Sequence, residues 1–271
     1  MKIVLMCHHD DELNSVALPR WLASFSTVAG IVSIAEQAEQ KKNRIKRELK
    51  RVGPLRFLDI LAYRLYHRLF VQSQDAAYEE LLLTRLASTY PALPGDIPVL
   101  STVSPNSAET RAFLERLQPD LMIARCKVIL KPEIFTVPPL GTYVMHPGIC
   151  PEYRNAHGCF WALAQGELHK VGMTLLKIDA GIDTGPVYGF FSYPYDEVAE
   201  SHITIQHRTV FDNLDRLKDA FLAIEQGSAA TIDTKAERPE TGGSRGFHGI
   251  SSGSWRPEGA PGHESDLSAV P

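Results

Sequence analysis

The sequence predicts an α/β fold: an open, mostly parallel, Rossmann-like sheet with helices on both faces, a helical insertion and a disordered C-terminal tail. Three observations carry that expectation. Short apolar runs alternate with helical stretches in residues 2–34 and again from residue 97 onward. A helical period without strand signals fills residues 36–88. From about Lys235 Gly, Ser and Pro dominate, and apolar residues become too sparse to offset the entropy of ordering. The expected organisation is therefore one α/β domain over residues 1–234, with its insertion at about 36–88, and a tail over 235–271.

Taken in order, residues 2–7 form an apolar run of strand type, followed by the polar turn His8-His9-Asp10-Asp11-Glu12 and a helical pattern over 13–25. Residues 29–34 read as a second buried strand, and two apolar runs around a helix make a βαβ unit with parallel pairing. The insertion divides into helical pieces ending at Arg51, then 55–70, then 75–87. Leu55, Leu58, Leu61, Leu65 and Leu69 recur at three- and four-residue steps, a stripe that predicts a core-facing side. The basic run Lys41, Lys42, Arg44, Lys46, Arg47, Lys50 and Arg51, interrupted by Glu36, Glu39 and Glu48, predicts a solvated helix face. Further strands are expected at 97–102, 121–124 and 142–145, and helices at 107–117, with Ser107 as N-cap, and 156–165. Residues 172–178 and 187–193 read as a strand pair around a Gly-rich turn, and 203–225 as one long amphipathic helix closed by Gly227.

Composition excludes some classes of function. A net charge of −4 leaves no global basic field to hold a nucleic acid backbone, so no nucleic-acid partner is expected. No run approaches the roughly 18 apolar residues of a membrane span. Cys7, Cys126, Cys150 and Cys159 form no CxxC pair, and the N-terminus opens on a strand rather than a signal peptide. Reduced thiols and a cytoplasmic location are the expectation.

The densest cluster of special residues runs from Met145 through His146, Pro147 and Gly148 to Tyr153, Arg154, Asn155, Ala156, His157 and Gly158, after a strand end. Ligands of open α/β sheets bind at the carboxyl ends of strands, and a histidine there can hydrogen-bond or protonate a reacting group. Downstream, Asp179-Ala180-Gly181-Ile182-Asp183-Thr184-Gly185-Pro186 places two carboxylates in a Gly-rich turn after another strand. Taken singly, the histidine reads as a hydrogen-bonded loop residue and the turn as a hairpin connection.

Together and in this order, the two segments resemble the folate-dependent formyltransferases, the group of glycinamide ribonucleotide transformylase and methionyl-tRNA formyltransferase. Pro119-Asp120-Leu121, Ile129-Leu130, Pro138-Pro139-Leu140-Gly141, His146-Pro147, Pro151-Glu152-Tyr153-Arg154, Ala156-His157, Phe160-Trp161-Ala162 and Gly181 to Pro186 match that pattern. The resemblance covers about residues 119–227. It implies transfer of a formyl group from 10-formyltetrahydrofolate to a primary amine of a small molecule, such as an amino sugar. It also implies that His146 stabilises the oxyanion while Asp183 favours the charged imidazole and helps move protons. Val128, Ile129 and Leu130 would contact the pterin, and Asp179, Ala180 and Gly181 would present backbone groups to its edge.

Two departures stand out. The family pattern has Asn two residues before the histidine, and this chain has Val144, which has no donor; Asn155 and His157 are the nearby auxiliary candidates. The first turn carries His9, Asp10 and Asp11 where phosphate-binding members carry Gly and Ser, so these residues are expected to bind the acceptor without a phosphate. The same run resembles the His-Pro-Asp-Asp-Glu zinc motif of N-acetylglucosaminyl deacetylases, but His9 replaces the Pro and no downstream His-x-x-His follows, so no metal site is expected. Two more functions fit the same resemblance, a folate-binding protein with weakened or lost catalysis and a formyltetrahydrofolate hydrolase. Methionyl-tRNA is disfavoured as acceptor, because members that use it carry a separate C-terminal domain and only about 36 residues follow Lys235.

Overall fold

Strand β1 (Lys2–His8) buries Ile3 to Cys7 completely, the pattern of a strand covered on both faces. The computed structural model describes residues 1–35, 38–154 and 156–234. β1 pairs in parallel with β2 (Thr27–Ile34) and β4 (Leu121–Arg125), while β3 (Val99–Thr102) and β5 (Gly141–His146) extend the parallel sheet on either side. β6 (Met173–Lys177) runs antiparallel to β5, and β7 (Val187–Phe191) antiparallel to β6. The order is β3-β2-β1-β4-β5-β6-β7. Strands are added leftward from β1 to β3 and then rightward from β4, so the crevice at the carboxyl ends of β1 and β4 is the topological switch point.

Alternating side chains build the two layers. Ile3, Leu5, Trp21, Tyr143 and Phe221 pack on one face, and Val4, Met6, Phe113, Leu114 and Ile134 on the other. The first face is covered by a π-helical turn (Leu13–Ala17), α1 (Leu18–Ala23), α7 (His202–Phe211) and α8 (Leu214–Glu225). The second is covered by α4 (Ala108–Leu117) and the short α5 (Pro132–Phe135). Ser107 caps α4 as expected, its hydroxyl accepting from Thr110 N at 3.1 Å.

The insertion comprises α2 (Ala38–Tyr66), a π-helical turn (His67–Val71) and α3 (Gln72–Thr89). Gly53, at φ 80°, kinks α2 just before Pro54. The expected core stripe is corrected: Leu58, Leu61, Leu65 and Leu69 are 60%, 44%, 58% and 64% exposed. α3 instead supplies buried Leu82 and Leu86 to the domain core. Periodicity reports which residues share a helix face but not what covers that face. The Leu55 side chain, most of the basic run and the tail from Lys235 lie outside the described residues.

Asp75 fastens the insertion to the domain. Its Oδ1 accepts from Ser201 Oγ and from Thr204 Oγ1 at 3.0 Å, and its Oδ2 meets His67 Nε2 at 3.1 Å. Ser201 in turn caps α7. Asp75→Ala is expected to cost about 2–3 kcal/mol, because hydrogen bonds to a charged group are lost and buried donors are orphaned. The check is thermal unfolding, with Tm falling by roughly 4–12 °C; an unchanged Tm would refute the fastening.

The single helix expected over 203–225 is corrected to two, α7 and α8. Buried Asn213 separates them, its side-chain amide donating to Thr209 O at 3.0 Å and Ser192 O at 3.3 Å. A short amide side chain that satisfies backbone carbonyls competes with the helical ladder.

Candidate functional site

β5 ends at His146, on the same side of the strand as Val144, and the loop after it folds back tightly. Gly148 and Gly158 touch backbone to backbone: a Cβ on Gly158 would lie 2.6 Å from Gly148 Cα, and one on Gly148 would lie 2.5 Å from Tyr153 O. This closure presents the Tyr153 carbonyl to His146 Nε2 at 2.8 Å. Thr174, opposite His146 on β6, ties the loop down by donating to Gly148 O at 2.6 Å and accepting from Cys150 N at 3.0 Å.

The turn between β6 and β7 brings the second group. Asp179 Oδ1 accepts from Gly181 N at 2.9 Å and from Thr184 Oγ1 at 2.7 Å, which rounds off the turn. Gly185 allows the chain to press on β6, since a Cβ there would lie 1.8 Å from Lys177 O. Asp183 sits between these contacts at φ 50°, an unusual conformation for a residue with a side chain. Its Oδ2 reaches within 3.5 Å of His146 Nδ1, and both side chains are largely buried.

A carbonyl oxygen only accepts, so His146 Nε2 donates to Tyr153, and Nδ1 faces a carboxylate. Both contacts are favourable together when the ring carries two protons. The 3.5 Å separation is longer than a charge-assisted hydrogen bond, about 2.7–2.9 Å.

The remaining sequence candidates are placed as follows. Val144 packs against Cys150, Leu176, Val187 and Phe190. Ile129 is 67% exposed and Val128 37%, whereas Leu130 is buried in the core layer that Ile178 also joins, so its side chain is unavailable to a ligand and the two loops are neighbours. Ala180 is exposed at the turn. His157 precedes α6 (Gly158–Ala164) at φ 64° and is exposed at its outer edge; partial desolvation of the ring, seconded by Lys127, holds it below the usual range. Asn155 lies outside the described residues. In the first turn, His9 Nδ1 lies 3.3 Å from Ser33 Oγ, and Asp10 is exposed. Asp11 turns inward, its two oxygens accepting from Asn14 N at 3.1 Å and Asn14 Nδ2 at 2.7 Å. Among the described residues no group of three or more His, Cys, Asp or Glu is arranged to hold a metal ion, and no helix is long and apolar enough to cross a membrane.

One residue of the site belongs to none of the sequence motifs. Arg125, the last residue of β4, donates through Nε to Asn14 Oδ1 at 2.8 Å and through Nη1 to Met145 O. The signal that points to it is a charged residue closing the apolar run Leu121-Met122-Ile123-Ala124.

Fold and site together define an open α/β protein whose strand-end imidazole–carboxylate pair suits acyl-group chemistry at a carbonyl. A family model described as formyl transferase matches residues 75–219, more than half of the chain, and the chain belongs to that family. A methionyl-tRNA formyltransferase of Kosmotoga olearia is 40% identical over 92 residues, covering 34% of this chain and 29% of that protein. Its counterpart from Pelobacter propionicus is 36% identical over 110 residues, 39% and 33% of the two chains. The matched stretch thus spans about a third of these relatives' length. Phosphoribosylglycinamide formyltransferases from Streptococcus pneumoniae (TM-score 0.51, 16% identity, 83% of this chain and 98% of that one) and Anaplasma phagocytophilum (0.54, 14%, 84% and 88%) share the fold.

Proposed function

We propose that this chain transfers a formyl group from 10-formyltetrahydrofolate to a primary amine of a small molecule, with His146 and Asp183 as the catalytic pair. The observation that carries the reading is the 3.5 Å approach of His146 Nδ1 to Asp183 Oδ2, made by two loops 37 positions apart in sequence. The donor supplies an activated formyl carbonyl. Exposed Ile129 and Ile182, on the two loops flanking the pair, offer apolar surface for a flat heterocycle, and the Asp179–Gly181 turn offers backbone groups to its edge. His146 holds its Nδ1 proton toward the formyl oxygen, opposing charge with charge as the amine adds. Asp183 accepts the proton that the amine releases, and the tetrahedral carbon then collapses by breaking its bond to N10 of the folate, which leaves as tetrahydrofolate carrying that proton.

The relatives favour a second acceptor, the methionyl-tRNA of their names, because over their shorter matched stretch they are 40% and 36% identical to this chain, against 16% and 14% for the solved structures. A direct test incubates the chain with 10-formyltetrahydrofolate and, separately, with small primary amines and methionyl-tRNA, following folate absorbance. Turnover with small amines but not with the tRNA is expected; the reverse replaces the acceptor, and no turnover with either, alongside tight folate binding, replaces catalysis by binding.

A further inference from the structure

The guanidinium of Arg125 stands at the switch point, between the ends of β1 and β5, and it is only partly committed. Nε and Nη1 are fixed by Asn14 and by Met145 O, the carbonyl just before His146. Nη2 donates to nothing among the described residues. Among the described residues the fully enclosed polar side-chain atoms without a partner are Trp21 Nε1 and Arg154 Nε, so Nη2 of the otherwise buried Arg125 is not sealed off. No carboxylate of the described residues forms an ion pair with Arg125; Asp11, the acid that bears on it most, hydrogen-bonds through both oxygens to the intervening Asn14. Two of its three nitrogens are therefore anchored and the third is left uncommitted at the strand end where open α/β sheets bind ligands.

The surroundings extend the same chemistry. Lys127 lies two residues on, its backbone N donating to His8 Nε2 at 3.1 Å at the end of β1. His207 on α7 senses both cations: burial lowers its affinity for a proton, Arg125 and Lys127 push the same way, and Asp11 and Asp75 oppose them.

We propose that Arg125 binds an anionic oxygen group of the amine acceptor, a carboxylate or a phosphate. This deepens the formyl-transfer reading and rests on it for the word acceptor. It differs from a phosphate loop, since the recognising group is a side chain at the end of β4 and not the backbone of the first turn. The planar fork suits paired oxygens, and anchoring by Met145 O holds the bound acceptor at a fixed distance from His146.

The test has two arms. Inorganic phosphate and acetate are titrated separately into the full chain by calorimetry at matched ionic strength, with wild type, Arg125→Lys and Arg125→Gln. One of the two anions is expected to bind saturably at one site, about 10- to 100-fold more weakly to Arg125→Gln, with Arg125→Lys in between. The anion that binds identifies the source. In the second arm, kcat/KM is measured for β-alanine, phosphoethanolamine and 3-aminopropanol with 10-formyltetrahydrofolate. The amine bearing the preferred anion should exceed 3-aminopropanol by about 10- to 100-fold, chiefly through KM. If Arg125→Gln fails to fold, a wild-type crystal soaked in the binding anion must show it on Nη2. Absence of binding by both anions, binding undiminished in folded Arg125→Gln, or an anion seated elsewhere overturns the proposal. Anion binding without formyl transfer keeps this site and removes the reaction; formyl transfer without anion binding does the reverse.

Discussion

His146→Gln is expected to lower kcat for formyl transfer by about 10³-fold while leaving folate affinity within a few-fold of wild type. Gln keeps a side-chain donor for the Tyr153 carbonyl, so the loop closed by Gly148 and Gly158 survives. It cannot become a cation and cannot relay a proton, and general acid–base groups contribute about 10²–10⁴ in rate. Asp183→Asn should cost nearly as much, since an amide beside Nδ1 cannot take a proton. The double variant is the sharper measurement. Residues acting as one unit are grossly non-additive, so the pair should be no more than a few-fold worse than His146→Gln alone. Multiplicative losses, or a single variant with wild-type kcat, would dissolve the pair as a unit.

The second large effect is a gain. Val144 lies two residues before His146 and on the same side of β5, and its backbone pairings with Ala124 and Leu176 do not depend on its side chain. Val144→Asn would place an amide donor beside the formyl oxygen held by His146. One such donor is worth about 10²–10³ in kcat, and the loss of Val burial about 1–2 kcal/mol of stability. A rise in kcat of that order, with a slightly lower Tm, is the expected result. An unchanged kcat would mean that the oxygen already has its second donor, and His157→Ala would then be the variant to lose activity.

Much of this molecule is legible in the chain itself, and the failures share a cause. The seven strands follow from runs such as Lys2-Ile3-Val4-Leu5-Met6 and from the Asp- and Gly-rich turn that separates β6 from β7, all local signals. Ser107 as a cap is equally local. The meeting of His146 with Asp183 is legible only in the order of two motifs, because no periodicity relates residues on separate loops. What stays hidden depends on distant partners. The leucines of α2 share a face, but whether a layer covers it is decided elsewhere in the chain. Asn213 splits α7 from α8 through a carbonyl 21 positions away. Asp11 reads in sequence as a ligand-facing acid, whereas in the fold Asn14 takes both of its oxygens. Arg125 acquires its role from residues 111 and 20 positions distant.

The antiparallel register of β5 and β6 opposes His146 to Thr174, so the chain leaves the sheet and re-enters it at the same end of two neighbouring strands. The described residues between Pro147 and Gly172 leave the sheet and return to it, pinned at their base by Thr174. Lengthening or exchanging that excursion beyond Gly158 leaves strand registry untouched. Descendants of one sheet can thereby diversify the molecules they admit, while the imidazole and the carboxylate keep their places.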